Sequence, residues 1–149
     1  MKKLTLCFVC ALALCACAGG MKTAVKDGKI APEFNDTLVD SDYLWVRGFG
    51  AANPEHKTES QRRIMSREAA IAHAYQRAIE VLYGANLDAD VEVVDAVSSG
   101  STIRSSAEGV VNGMELVSTE YLADDGCAVI MRLPRQRLSE AGFNLKETH

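Results

Sequence analysis

The sequence predicts an α+β fold, one long helix packed on a small antiparallel or mixed sheet of about four strands in the order β-α-β-β-β. Three observations carry this expectation. A stretch from Glu59 to Tyr83 contains no glycine or proline and repeats its apolar residues at helical spacing. Before and after it lie runs rich in β-branched and aromatic residues. The last two of these runs are joined by Ala123-Asp124-Asp125-Gly126, and Asp-Gly between β-rich runs is a hairpin signal.

Taken in order, the first run is Tyr43 to Ala52, YLWVRGFGAA, which stops at Asn53-Pro54 and reads as a strand followed by a turn. Trp45 is expected to pack in the core or at an edge. The pair Gly48 and Gly50 lacks the third glycine and the immediate helix start that a dinucleotide loop requires, so it reads as a bulge or a close backbone crossing. Thr58-Glu59-Ser60-Gln61 has capping-box spacing, a hydroxyl at the cap and a glutamine three residues on. Behind it, Ile64, Ile71, Ala74, Tyr75, Ala78 and Leu82 fall near one stripe, and the many alanines imply close approach to a sheet. Gly84 is the expected C-terminal stop. From Leu87 the period changes to two: Leu87, Ala89, Val91 and Val93 alternate with acidic residues, the pattern of a strand with one buried face. The pattern breaks at Ser98 to Ser101, and Thr102 to Val111 fits either an edge strand or a short helix. Met114 to Leu122 and Cys127 to Leu133 complete the strands, Pro134 ends the last one, and Arg135 to Gly142 fits a closing helical turn.

The first twenty residues, MKKLTLCFVCALALCACAGG, have the positive start, short apolar run and small-residue exit of a secretory signal. The apolar run of about 13 residues is short of the roughly 20 that a spanning helix needs. Leu14-Cys15-Ala16-Cys17 resembles the bacterial lipobox, which makes Cys17 the expected lipidation site; Cys15 fits less well, because Leu14 would occupy the place of a small residue. Cleavage near Ala16 or Ala18 without lipid is the plainer alternative. The domain organisation that follows is a lipoprotein signal peptide over 1–16, a lipidated flexible tether over 17–41 and a single α+β domain over 42–149. Ala18 and Gly19 behind the cysteine, with no aspartate, resemble the sorting pattern for the outer membrane. Several palmitate-type chains on Cys17 would make the membrane attachment stable, since each buried CH₂ contributes about 0.8 kcal/mol and one chain alone binds marginally.

Removal of Lys2 and Lys3 with the signal leaves 14 basic residues against 20 acidic ones, a net charge of −6. An acidic chain argues against a nucleic-acid partner. Of five cysteines, only Cys127 would remain unmodified in the mature protein, so no internal disulfide is expected, and its apolar run predicts burial.

The order WVRGFGAA, SREAAIAHAYQRAIEVLYG and SSAEGVVNGMELVSTEYLADDGCAVIMRL resembles the LPP-twenty family of bacterial lipoproteins, a group that includes the flagellar lipoprotein FlgP and is similar to the N-terminal domain of FlgT. The likeness spans Tyr43 to Leu138 and includes the Gly109-x-x-x-Gly113 segment. It implies a non-enzymatic, lipid-anchored envelope protein with a structural or assembly role. Flagellar members form rings around a motor, although no residue of this chain singles out that branch. Self-association or an envelope protein partner is the matching expectation, with exposed strand edges as one means.

No catalytic, cofactor-binding or metal site is expected. His56, His73 and His149 lack metal spacing. Asp124 and Asp125 read as a solvated turn, Glu108 has no evident carboxylate partner, and the serines at 98, 99, 101, 105 and 106 have no nucleophile elbow around them. The alternative function is a binding lipoprotein whose small-ligand or peptide groove is lined by Trp45, Phe49, Tyr75 and Tyr121. Hydrolase activity would require Ser105, Glu108 or His73 to converge in a cleft.

Overall fold

The computed structural model describes residues 23–26, 29–87 and 96–148. Its elements are β1 (Thr23–Lys26), β2 (Lys29–Pro32), β3 (Thr37–Val39), β4 (Tyr43–Gly50), α1 (Glu59–Leu87), α2 (Ala96–Val111), β5 (Glu115–Tyr121), β6 (Cys127–Pro134) and α3 (Arg135–Glu140). The class is α+β, with a four-stranded sheet in the order β3-β4-β6-β5, antiparallel at every pairing. β1 and β2 form a separate antiparallel pair outside that sheet.

Alternation along β6 places Cys127, Val129, Met131 and Leu133 on the face that carries α1. Leu44 and Val46 of β4 join them there, and the main core adds Ala70, Ala74, Ala78 and Leu82 of α1 with Ala107 and Val111 of α2. The opposite face has its own smaller cluster, Ala31, Phe34, Trp45 and Val117, flanked by Leu38, Tyr43 and Ile130. Between Leu116 and Ser118 the register of β5 against β6 slips by one residue, and the extra residue, Val117, is what fills that second cluster.

Details differ from the expectation. Of the alternating run expected as a strand, Leu87 is the last residue of α1, while 88–95, with Ala89, Val91 and Val93, lie outside the described residues. The fourth strand is Thr37–Val39, inside the stretch expected to be tether, where β1, β2 and buried Phe34 are also found. Three residues are too few to show an alternation, which is why β3 gave no sequence signal. α1 runs through Gly84, whose surroundings are open, at the cost of about 1 kcal/mol for a glycine within a helix. Residues 102–111, left open between strand and helix, are the second half of α2.

The buried face of α1 differs slightly from the expected stripe. Ile64 is exposed, and the residues against the sheet are Ser66, Ala70, Ala74, Ala78 and Leu82, four apart. The reason lies in the strand. A Cβ on Gly48 would stand 2.8 Å from the methyl of Ala74 and nearer still to the carbonyl oxygen of Ala70. A Cβ on Gly50 would stand 2.6 Å from the amide of Ala70 and nearer to the carbonyl oxygen of Ser66. Two glycines on one face of β4 thus admit the helix backbone itself, and only small residues fit the helix side of that seam. The alanines were read correctly as a sign of close approach.

The β3–β4 edge of the sheet is covered in part. The C-terminal tail backs β3, where Val39 donates its N–H to Thr148 Oγ1 (3.0 Å) and accepts from Thr148 N–H (3.1 Å). Further along, Arg47 N–H donates to the Asp36 carbonyl (2.8 Å) and Phe49 N–H to His73 Nδ1 (3.0 Å). At Val39 and Phe49 these bonds take up backbone groups that pairing with another chain would use.

Candidate functional site

Chemistry-bearing side chains gather at one end of the domain, where the β5–β6 hairpin meets the start of α1. Thr58 caps that helix, its hydroxyl accepting the N–H of Gln61 (3.2 Å), as the capping-box spacing predicted. The cap sets the phase of the first turns, so Arg62, Arg63 and Ser66 come round to the hairpin. At its tip Asp125 adopts a left-handed backbone, φ 63°, and Asp124 Oδ1 accepts the N–H of Gly126 (3.0 Å). Asp125 Oδ2 takes Arg62 Nε (2.9 Å) and Nη2 (2.8 Å), while its Oδ1 takes Arg63 Nε (2.9 Å). Ser66, fully buried, donates its hydroxyl to the Asp125 carbonyl (2.7 Å). Arg62 also reaches the carbonyl of His56 (3.2 Å), which ties in the loop that follows β4.

This cluster corrects the expectation of a solvated turn: Asp125 is largely covered, with 14 % of its side chain exposed. Charge-assisted bonds from Arg63, then from Arg62, hold its carboxyl below the ordinary range, outweighing a smaller opposite effect of burial. The Arg63 guanidinium is correspondingly pushed up, first by its bond to Asp125. The adjacent arginines at the helix start and the Asp-Gly turn were both visible in the sequence; their meeting was not, because it depends on the helix phase.

Beside the hairpin, on the sheet face away from α1, lies a groove of about 260 Å³ lined by Pro32, Glu33, Arg47, Phe49, Ser118, Glu120, Leu122, Ala128 and Ile130. Its floor is apolar, from Ala128 and Ile130 of β6, and Phe49 and Leu122 stand on opposite sides of it. Arg47 lies with its guanidinium 5.2 Å from the Phe34 ring centre, a cation–π contact that holds the long side chain along the sheet.

Of the four side chains named for a ligand groove, only Phe49 lines this one. Trp45 is buried farther along the same face, with its indole N–H donated to Asp40 Oδ2 (2.7 Å), and its ring meets Tyr43 edge-on with centres 5.5 Å apart. Tyr75 packs against the main core on α1, on the other side of the sheet. Tyr121 is exposed at the hairpin under the Arg63 guanidinium, 5.4 Å from its ring centre.

The remaining residues scatter. His73 caps the β4 edge, and Arg77 lies at 3.4 Å from its Nε2. Glu108 pairs with Arg104 along α2, and Ser105 is an exposed neighbour on the same helix. Cys127 is buried in the main core with its thiol pushed up by burial, the inert state expected for it. Among the described residues no three of His, Cys, Asp and Glu are placed to hold a metal ion, and no helix is long and apolar enough to cross a membrane. Cys17 and His149 lie outside the described residues. Comparison with protein-family models, with curated proteins and with solved structures finds no match.

Proposed function

We propose that this chain is a non-enzymatic lipoprotein of the outer membrane, acylated on Cys17, with a structural or assembly role in the cell envelope like that of the LPP-twenty group. The observation that carries the reading is Leu14-Cys15-Ala16-Cys17 placed directly behind a short apolar run. A glycine-bearing strand followed by an alanine-rich helix and a terminal hairpin, in the family's order, supports the kinship. With Val39 of the β3 edge already bonded to Thr148, side-chain surfaces are the favoured contact with an envelope protein partner or a second copy.

The test is intact mass and fatty-acid labelling of the full chain expressed in a double-membraned bacterium. Cleavage before Cys17 with added acyl mass, lost in Cys17→Ala, is the expected result. A mature N-terminus elsewhere, with no acyl mass, overturns the reading.

The groove beside Phe49 favours a second reading, a lipoprotein that presents a small ligand or a short peptide-binding surface. Native mass spectrometry of protein taken gently from cells distinguishes it: a retained small molecule, displaced in Phe49→Arg, would move the function from assembly to binding.

A further inference from the structure

We infer that the hairpin end of the domain rests on the lipid bilayer, with Phe49, Tyr121, Leu122, Ile64 and Met65 as its membrane contact. The inference rests on the anchoring of Cys17 proposed above and adds to it the face that meets the membrane.

These five are the large apolar side chains left exposed among the described residues, at 45 %, 40 %, 45 %, 60 % and 49 % respectively. They collect at one end. Phe49 and Leu122 flank the groove. Tyr121 lies under Arg63 of α1, and Ile64 and Met65 follow Arg63 directly on the outer side of the first helical turns. An exposed apolar set of this kind marks a contact surface.

The chain leading to the anchor says what the contact is. Thr23 pairs with Pro32, and Pro32 lines the groove between Phe49 and Leu122. Cys17 precedes Thr23 by six residues, and six residues span at most about 20 Å even when fully extended. A lipid on Cys17 therefore keeps the groove side of the domain within about 20 Å of the bilayer. The opposite end, where Tyr43 pairs with Pro134 and α3 begins, carries buried Leu138, Phe143 and Leu145 under a polar exterior.

The arginines at the helix start are paired, while Glu33, Arg47 and Glu120 stand along the groove. Arg62 and Arg63 are committed to Asp125, Arg63 also to Glu59, and Arg67 to Glu68. The contact is apolar, so it should persist at high salt and on zwitterionic lipid.

The experiment places an environment-sensitive fluorophore on the full mature protein, in separate variants Leu122→Cys, Met65→Cys and Glu140→Cys. Each is reconstituted in phosphatidylcholine vesicles containing brominated lipid. Acyl mass on Cys17 is measured in the same samples, and a parallel set carrying Cys17→Ser is held to a nickel-chelating lipid by an N-terminal polyhistidine tag, so that an anchor is present whatever the cell does and the introduced thiol is left for the probe. Blue-shifted, bromine-quenched emission at 122 and 65 with an unquenched probe at 140, unchanged by high salt, is the expected result. Probes at 122 and 65 that stay unquenched on anchored protein overturn the docking surface. So does quenching at those sites only by a second labelled copy, which would make the patch a self-association face. Missing acyl mass in the native set alone overturns the anchoring reading and leaves the tagged set to judge the surface.

Discussion

The two faces of the sheet solve the same burial problem in opposite ways. On the α1 face, Gly48 and Gly50 meet Ser66, Ala70 and Ala74, so backbone approaches backbone and almost no side-chain volume lies between. On the other face, β2 and the segment after it bring Ala31 and Phe34 onto Trp45 and Val117 and leave a groove beside that row. A seam of small residues has no rotamers to rearrange, so it fixes position and tolerates no addition. A cover of large side chains beside an open groove can shift, so it tolerates change and can meet a partner.

The comparison breaks most readily at Gly48. Gly48→Ala brings a methyl against the Ala70 carbonyl and the Ala74 side chain, and neither can turn away. Overpacking of this kind costs about 1–3 kcal/mol or more. Urea unfolding followed by circular dichroism should show a lower midpoint with an unchanged slope. A variant as stable as the parent would mean that α1 stands farther from β4 than described.

On the open face the largest single effect is expected at Trp45. Trp45→Phe removes the indole N–H that meets Asp40 Oδ2 at 2.7 Å, while Asp40 Oδ1 keeps the N–H groups of Asp42 and Tyr43. A bond to a charged acceptor contributes about 1.5–3 kcal/mol. The loss should appear in the same unfolding assay, and its absence would show that this cluster lies outside the cooperative unit.

Asp125 ties the hairpin to α1 and supplies the pH dependence. Its folded carboxyl titrates below the ordinary 3.8, so its contribution to stability is fully present above that value and is lost as pH falls through the folded one. Asp125→Asn keeps a residue that tolerates positive φ and removes the charge. Melting temperatures measured from pH 6 downward should fall less steeply in the variant than in the parent. Parallel curves would show that Arg62 and Arg63 contribute nothing there through charge.

Much of this architecture was legible because its signals are local. The helix cap at Thr58, the Asp-Gly hairpin and the two-residue period of β6 each occupy a few consecutive residues. What escaped depends on contacts between distant segments. β3 is three residues long and is a strand because Val46, Trp45 and Leu44 offer it an edge. Ile64 fell off the buried stripe because the glycines of β4, not the helix's most apolar face, decide which side of α1 turns inward. The site was less legible than the fold. The aromatic residues gave Phe49 its place but grouped it with Trp45, buried farther along the same face, with Tyr75 on α1 and with Tyr121 under Arg63. Asp125 was read by its turn propensity, which is correct for its backbone and silent about the two arginines 62 and 63 positions earlier in the chain.

The mildest change makes the sharpest control. Ala128 follows Cys127 on β6, pairs with Phe49 across the strand and forms part of the groove floor, so its side chain points to the open face one residue from the seam. Ala128→Val adds two methyls where Gly48→Ala adds one. If the faces differ as described, the larger addition has the smaller consequence. The groove accepts the volume, and a β-branched residue suits an extended backbone, so stability should stay within about 0.5 kcal/mol of the parent. The same unfolding measurement on both variants then separates crowding from position. Equal losses would mean that the sheet as a whole resists added volume, and the contrast between a fixed seam and an adaptable cover would fall with it. A loss at Gly48 alone would place the rigidity of the domain in a glycine-alanine contact and leave the groove face free to vary with whatever it meets.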